Sequence, residues 1–220
     1  MDTKRSYGDP CGIARALDRV GERWALLVVR ELLLGPKRFT DLRAGLPHLG
    51  PDVLSERLRE LEQSGVLRRS KLPPPAGSRV YELTEWGREL QPVVLALGRW
   101  GSGAPFPASD TPLGADALLI ALKTMFDPAQ APPNPIVIEL RLGEYHFRAT
   151  VADRRLEIVR GGAENPDATI ECQPWVLADV LWHGGSLDDS QIGVQGDRRA
   201  LERFLGVFRS PRPATAAATG

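Results

Sequence analysis

The stretch "PDVLSERLRELEQSG", Pro51 to Gly65, decides the fold. Leu54, Leu58 and Leu61 recur at helical spacing and form one apolar stripe. Asp52, Ser55, Glu56, Arg59, Glu60 and Gln63 fall on the opposite side. The pattern predicts a helix with one buried face, stopped at Gly65.

The segments on either side complete a recognisable order. Upstream, "CGIARALDRV" predicts a short helix with Ile13, Ala14, Leu17 and Val20 on one face. "WALLVVRELLLG" predicts a nearly all-apolar helix, buried in a core or an interface and stopped by Gly35 and Pro36. Thr40 is placed to cap a helix over "DLRAGL", and "PHLGP" makes the turn before Pro51. Downstream, "VLRRSKL" and "SRVYELT" read as two strands around the loop "PPPAG". Thr84 is placed to cap "EWGRELQPVVLALGRWG", with a kink or break near Gln91 ahead of Pro92. Helix, turn, helix and basic hairpin make a winged helix. In that architecture the second helix of the pair enters the major groove and the hairpin touches the backbone. The expected partner is double-stranded DNA.

Five elements carry a more specific resemblance: Cys11, "W-x-LL-x-x-RELL-x-GP-x-RF", "LRAGLP", "VLSERLRELE-x-x-G" and "Y-x-LTE-x-G". Over Cys11 to about Gly101 the chain is similar to the HxlR-type transcriptional regulators of bacteria. The resemblance implies a homodimer on a pseudo-palindromic site, with terminal helices building the interface. Val93, Val94, Leu97 and Trp100 offer an apolar face that Leu17 and Val20 could join. The same face could instead pack within its own subunit. Phosphate contacts are expected from Lys37, Arg38, Thr40 and Arg43 before and on the first helix of the pair. Arg68, Arg69, Lys71 and Arg79 would supply them from the wing.

The resemblance places base contacts in the first turns of the quoted helix, at Pro51, Asp52, Ser55, Glu56 and Arg59. Relatives usually carry basic or amide residues where this chain has Asp52 and Glu56. Two accounts of the acids stay open. Asp52 complements the helix dipole while Glu56 pairs with Arg59, or a carboxylate accepts a hydrogen bond from a cytosine amine. Some relatives use the cysteine matching Cys11 as a thiol redox sensor. Cys11 precedes a helix and Arg15 lies one turn on, a setting that favours the thiolate; simple packing is the alternative.

Composition bounds the rest. In 220 residues, 42% are hydrophobic and 25% charged, which fits a folded protein of about two domains. No apolar run reaches the roughly 18 residues of a membrane span, so no membrane insertion is expected. "MDTKRSYGDP" lacks a signal peptide's apolar core, and the two cysteines, Cys11 and Cys172, form no disulfide framework. A cytoplasmic location is the expectation. Residues 1–104 hold 17 basic and 13 acidic side chains, a surplus of +4, and residues 105–220 hold 11 and 15, a balance of −4. Two halves with different roles follow. The Gly/Pro-rich segment over 102–112 reads as a linker, and 210–220 as a disordered tail.

The half spanning 113–209 reads as an α+β domain: a helix, four strands, a helix, a short strand and a last helix, with one antiparallel-rich sheet covered by helices. "ADRRLEIVRGGAENPDATIEC", "WVLADVLWHGG" and "IGVQGDRRALERFLGVF" resemble the sterol-carrier-protein-like domain. That resemblance implies a lipid or another apolar ligand held between sheet and helices. Phe126, Phe147, Trp175, Leu181, Trp182, Phe204 and Phe208 are the candidate pocket walls, with a filled core as the alternative. His48, His146 and His183 have no metal-ligand spacing, and no phosphate loop or nucleophile turn is present, so neither a cofactor nor an enzyme is expected. The expected function is a ligand-modulated transcriptional regulator. A ligand carrier with weak or lost DNA binding, and a thiol-based regulator acting through Cys11, are the alternatives.

Overall fold

The computed structural model describes residues 6–75, 77–104 and 113–209. These form two compact units that divide between Val94 and Leu95. Most of the expected linker, residues 105–112, and the expected tail, 210–220, lie outside the described residues.

The N-terminal unit runs α1 (Gly12–Val20), α2 (Ala25–Leu32), α3 (Phe39–Gly45), α4 (Pro51–Gln63), β1 (Leu67–Lys71), β2 (Arg79–Leu83), α5 (Glu85–Arg88) and the start of α6 (Gln91–Gly101). Helix α4 is the quoted stretch. Pro51 sits at its first turn, Ser64 closes it, and Gly65 follows at φ +74°, where an L side chain would be strained. Leu54, Leu58 and Leu61 are at most 1% exposed, each contributing roughly 1.5–3 kcal/mol by burial. They pack α4 against α2, α1 and β1. Strands β1 and β2 pair antiparallel from Leu67↔Leu83 to Lys71↔Arg79. Lys37 and Tyr81 exchange backbone hydrogen bonds at 3.0 and 2.8 Å, so the chain before α3 adds a third, one-residue edge to the wing. The break before Pro92 is present, since α5 ends at Arg88 and α6 starts at Gln91. Thr84 caps α5, accepting the Gly87 N–H at 3.0 Å.

One local expectation needs correction. Thr40 caps nothing: α3 already starts at Phe39, and Asp41 accepts the Arg38 N–H at 3.1 Å. The carboxylate at the third helical position thus supplies the N-terminal bond. The apolar face of α1 is buried only at Ala14 and Val20, while Ile13 and Leu17 stand exposed.

The C-terminal unit contains α7 (Ala115–Met125), β3 (Ile136–Leu142), β4 (Tyr145–Ala152), β5 (Arg155–Arg160), β6 (Ala168–Cys172), α8 (Pro174–Trp182), β7 (Gly193–Gly196) and α9 (Arg198–Leu205). The sheet order is β5-β4-β3-β6-β7, antiparallel except for the parallel pair β3–β6. Strand alternation sends Ile136, Ile138, Leu140, Leu142, Phe147, Ala149, Val151 and Ile170 into the core. Helix α9 packs on β3 and β6, and α7 packs on α8. The ends of the unit are clasped: the Asp127 N–H donates to Val207, the Arg209 N–H donates to Met125, and the Arg209 guanidinium holds Asp127 at 2.6 Å.

Candidate nucleic-acid interface and ligand-binding unit

Helix α3, the first turns of α4 and the wing carry the exposed side chains expected to meet DNA. Pro51, Asp52, Ser55, Glu56 and Arg59 are all exposed on α4, where the base-reading positions were expected. Ser55 donates its hydroxyl to the Pro51 carbonyl at 2.9 Å, a bond within the helix. Arg38, Thr40 and Arg43 are exposed around α3, and Lys71 and Arg79 stand opposite each other on the wing. Arg38, Arg43, Arg59, Lys71 and Arg79 have no ion pair among the described residues. An exposed cation without a partner keeps its full charge for phosphate.

Three expected phosphate contacts are spent differently. Lys37 is buried, and its ammonium lies 2.6 Å from the Glu31 carboxylate. Glu31 is itself only 1% exposed and also holds Arg30 at 2.8 Å. A buried carboxylate needs paired charge, and Lys37 supplies it. Gly45 makes this arrangement possible, because a Cβ there would stand 2.2 Å from the Glu31 carboxylate. Arg68 is paired with Glu82 at 2.9 Å, and Arg69 with Glu62 at 3.2 Å, although both arginines remain exposed.

The acids of α4 are also differently placed from the expectation. Glu56 does not pair with Arg59; its nearest cation is Arg57, at 3.8 Å. Arg57 is 7% exposed, and its guanidinium also meets Glu60 and, at 3.8 Å, Glu22. Sequence reading missed this residue. The signal was its spacing, three after Leu54 and four before Leu61, on the flank of the buried stripe.

Of the expected dimer face, Val20 and Val94 are buried in their own subunit, at 7% and 8% exposure. Val20 lines a cleft of about 210 Å³ with Val66, Trp86 and Leu90. Leu17, Val93, Leu97 and Trp100 are exposed, Trp100 at 81%. Cys11 is exposed too, preceding α1, with its N–H donated to Asp9 at 2.8 Å.

A family model described as an HxlR-like helix-turn-helix matches residues 19–105. The regulator YvaP of Bacillus subtilis, described as an uncharacterized HTH-type transcriptional regulator, is 40% identical over 88 residues, spanning 40% of this chain and 82% of that protein. The chain belongs to the HxlR-like helix-turn-helix family. The HTH-type transcriptional regulator YodB of B. subtilis is 38% identical over 85 residues, 39% of this chain and 76% of that one. Among solved structures, the reduced form of YodB is 35% identical and covers 42% of this chain and 91% of its own, with a TM-score of 0.38. The redox regulator HypR in its oxidized form is 33% identical and covers 44% and 100%, with a TM-score of 0.39. As an HxlR-like protein, the chain is a DNA-binding transcriptional regulator through its N-terminal unit.

In the C-terminal unit the candidate pocket residues separate into different settings. Phe204 and Phe147 are fully buried. The Phe204 and Phe208 rings meet edge-on at 5.1 Å, and Phe126 lies 6.5 Å from Phe208. Phe147 lies under the Arg160 guanidinium at 5.0 Å, and Arg160 in turn pairs with Asp116 of α7. Leu181 and Trp182 are half-buried, and the Trp182 indole N–H is enclosed with no acceptor among the described residues. Trp175 is 45% exposed at the first turn of α8 and faces solvent. On the other face of the sheet, Glu139 is buried beneath Arg141 (3.1 Å) and His146 (3.2 Å). The hydrogen bond from Arg141 holds the Glu139 carboxyl below its ordinary range. Burial pushes the Cys172 thiol up to about 11, which keeps it protonated and unreactive at neutral pH. No group of three or more metal-ligating side chains occurs among the described residues, and no described helix is long and apolar enough to cross a membrane.

Proposed function

We propose that the chain is a one-component regulator: a homodimer that binds a pseudo-palindromic operator, with an apolar small molecule or lipid in the C-terminal unit adjusting that binding. The observation that carries the DNA-facing reading is the set of unpaired exposed cations, Arg38 and Arg43 at and on α3, Arg59 on α4, and Lys71 and Arg79 on the wing. Asp52, Pro51, Ser55 and Glu56 stand among them, with Thr40 beside Arg38. Arg68 and Arg69 add phosphate contacts only by leaving their carboxylates. The exposed Leu17, Val93, Leu97 and Trp100 supply the dimer face. The ligand role is supported by the sterol-carrier-like order of elements and by a sheet whose apolar face is covered by helices. A ligand can shift DNA affinity only by binding the two states of the regulator unequally.

A salt titration of binding to a labelled duplex tests the DNA part. With five unpaired cations per protomer, log Kobs should fall with log[salt] at a slope of roughly −9 for a dimer. A slope shallower than about −3 would sink this geometry. Cys11 favours a second reading because it is exposed at the start of α1. Diamide should then weaken DNA binding by the native protein and leave Cys11→Ser unaffected; equal sensitivity removes the thiol-sensor account.

A further inference from the structure

The acids on α4 present a physical problem for a DNA-facing helix, and Arg57 answers it. Four carboxylates lie on this helix: Asp52, Glu56, Glu60 and Glu62. Glu62 is held by Arg69 of the wing at 3.2 Å. Glu60 is bound by one arm of the Arg57 guanidinium. The other arm reaches Glu56 at 3.8 Å, and Glu22, in the turn between α1 and α2, joins at 3.8 Å. The Arg57 side chain is 9% exposed, so its charge is turned inward to these carboxylates and not outward to phosphate. Only Asp52 is left without an ion pair among the described residues. It sits in the first turn, where the positive end of the helix dipole offsets it.

We infer that Arg57 is a positioning and specificity-determining residue for DNA binding: it draws the Glu56 and Glu60 carboxylates to the flank of α4, so that an acidic helix can approach the phosphates and Glu56 reads no base. The inference rests on α4 being the DNA-facing helix. Remove the guanidinium, and two carboxylates are released on α4, where like charge opposes DNA. Because the dimer carries the change twice, the loss is doubled in the exponent.

The test uses the full-length protein and a fluorescent duplex pool of randomised sequence at low salt, with base preference read by sequencing the bound fraction. Arg57→Gln should weaken binding by at least about tenfold, with the far-UV spectrum unchanged. Adding Glu56→Gln and Glu60→Gln to that variant should restore affinity to within about threefold, and Arg57→Lys should retain most of it. Glu56→Gln alone, with Arg57 in place, should leave base preference unchanged, an outcome that does not depend on Arg57→Gln folding. A shift in the preferred base at one position in Glu56→Gln would overturn the inference. So would undiminished binding by Arg57→Gln, or failure of the triple variant to recover. Wild-type protein that binds no duplex at low salt would overturn the DNA-facing reading of α4, and this inference with it. Wild-type binding without an Arg57 effect overturns this inference alone.

Discussion

Replacing Lys37 with Met separates two roles for one cation. As a phosphate contact, Lys37 would matter to DNA affinity and little to stability. As the counter-ion of Glu31, it would matter to stability and leave the salt slope alone. The structure supports the second role, with the ammonium 2.6 Å from a carboxylate that is 1% exposed. Breaking a buried pair by removing one partner costs about 3–5 kcal/mol. Arg30 still holds Glu31 at 2.8 Å, which places the expected loss near the lower limit, about 3 kcal/mol. For a unit of this size that lowers Tm by roughly 12–24 °C. Calorimetry gives the shift, and hydrogen exchange in the α2 and α4 peptides assigns it to the N-terminal unit. A double change, Glu31→Leu with Lys37→Met, should recover most of the loss, because an apolar pair of similar volume replaces the ions. DNA binding measured well below the lowered Tm should keep the wild-type salt slope. A Lys37→Met protein that melts within about 2 °C of wild type, yet loses about two units of salt slope as a dimer, would refute the reasoning.

Three other outcomes follow from single contacts. Gly87→Ala should destabilise the N-terminal unit by about 2–4 kcal/mol in a urea melt, because a Cβ there would meet the Val66 carbonyl oxygen at 2.0 Å and dislodge the Thr84 cap; a change below about 0.5 kcal/mol would show that α5 shifts freely. In native protein at neutral pH a thiol reagent should label Cys11 and spare Cys172, whose thiol is buried and raised to about 11; rapid native labelling of both would contradict this. The Ala129 N–H, and beyond it the Arg209 guanidinium, hold the Asp127 carboxyl below its ordinary range. The stability this gives is present above the unfolded-state value of about 4 and is lost as pH falls through the lower folded value. Asp127→Asn should therefore melt below wild type at pH 7, and the gap should close on acidification below about pH 4; a pH-independent gap would rule the charge out.

Where local chemistry dominates, the sequence was legible. The Leu54–Leu58–Leu61 stripe, the stop at Gly65, the Thr84 cap and the break before Pro92 all appear at the expected positions. Each depends on residues within a few positions of one another. The four strands expected after the first helix of 113–209 appear as β3 to β6 for the same reason. The errors share a different cause. Lys37 looks like a free cation until β2 places Tyr81 beside its backbone and α2 places Glu31 beside its ammonium. Val20 and Val94 look like interface residues until their own subunit covers them. Arg57 looks like one more charge on a polar face, although it occupies the edge of the apolar stripe. In each case the deciding neighbour is remote in sequence, and periodicity carries no information about it.

Net charge alone does not describe how this protein meets a polyanion. The +4 balance of residues 1–104 counts every ion equally. DNA, however, responds to charge that is exposed and uncommitted. Lys37 and Arg57 leave the ledger because they are buried against Glu31 and Glu60, and those two acids leave with them. Arg68 with Glu82, and Arg69 with Glu62, largely cancel in place. Around α3, α4 and the wing, the exposed remainder is Arg38, Arg43, Arg59, Lys71 and Arg79 against Asp52 and a tethered Glu56. That leaves five unpaired cations against two acids, 5 − 2 = +3, so most of the +4 balance rests on these few exposed side chains. Two of the four acids of "PDVLSERLRELEQSG", Glu60 and Glu62, are thus met within the protein by Arg57 and Arg69, while Arg59 stays exposed and unpaired on the same helix.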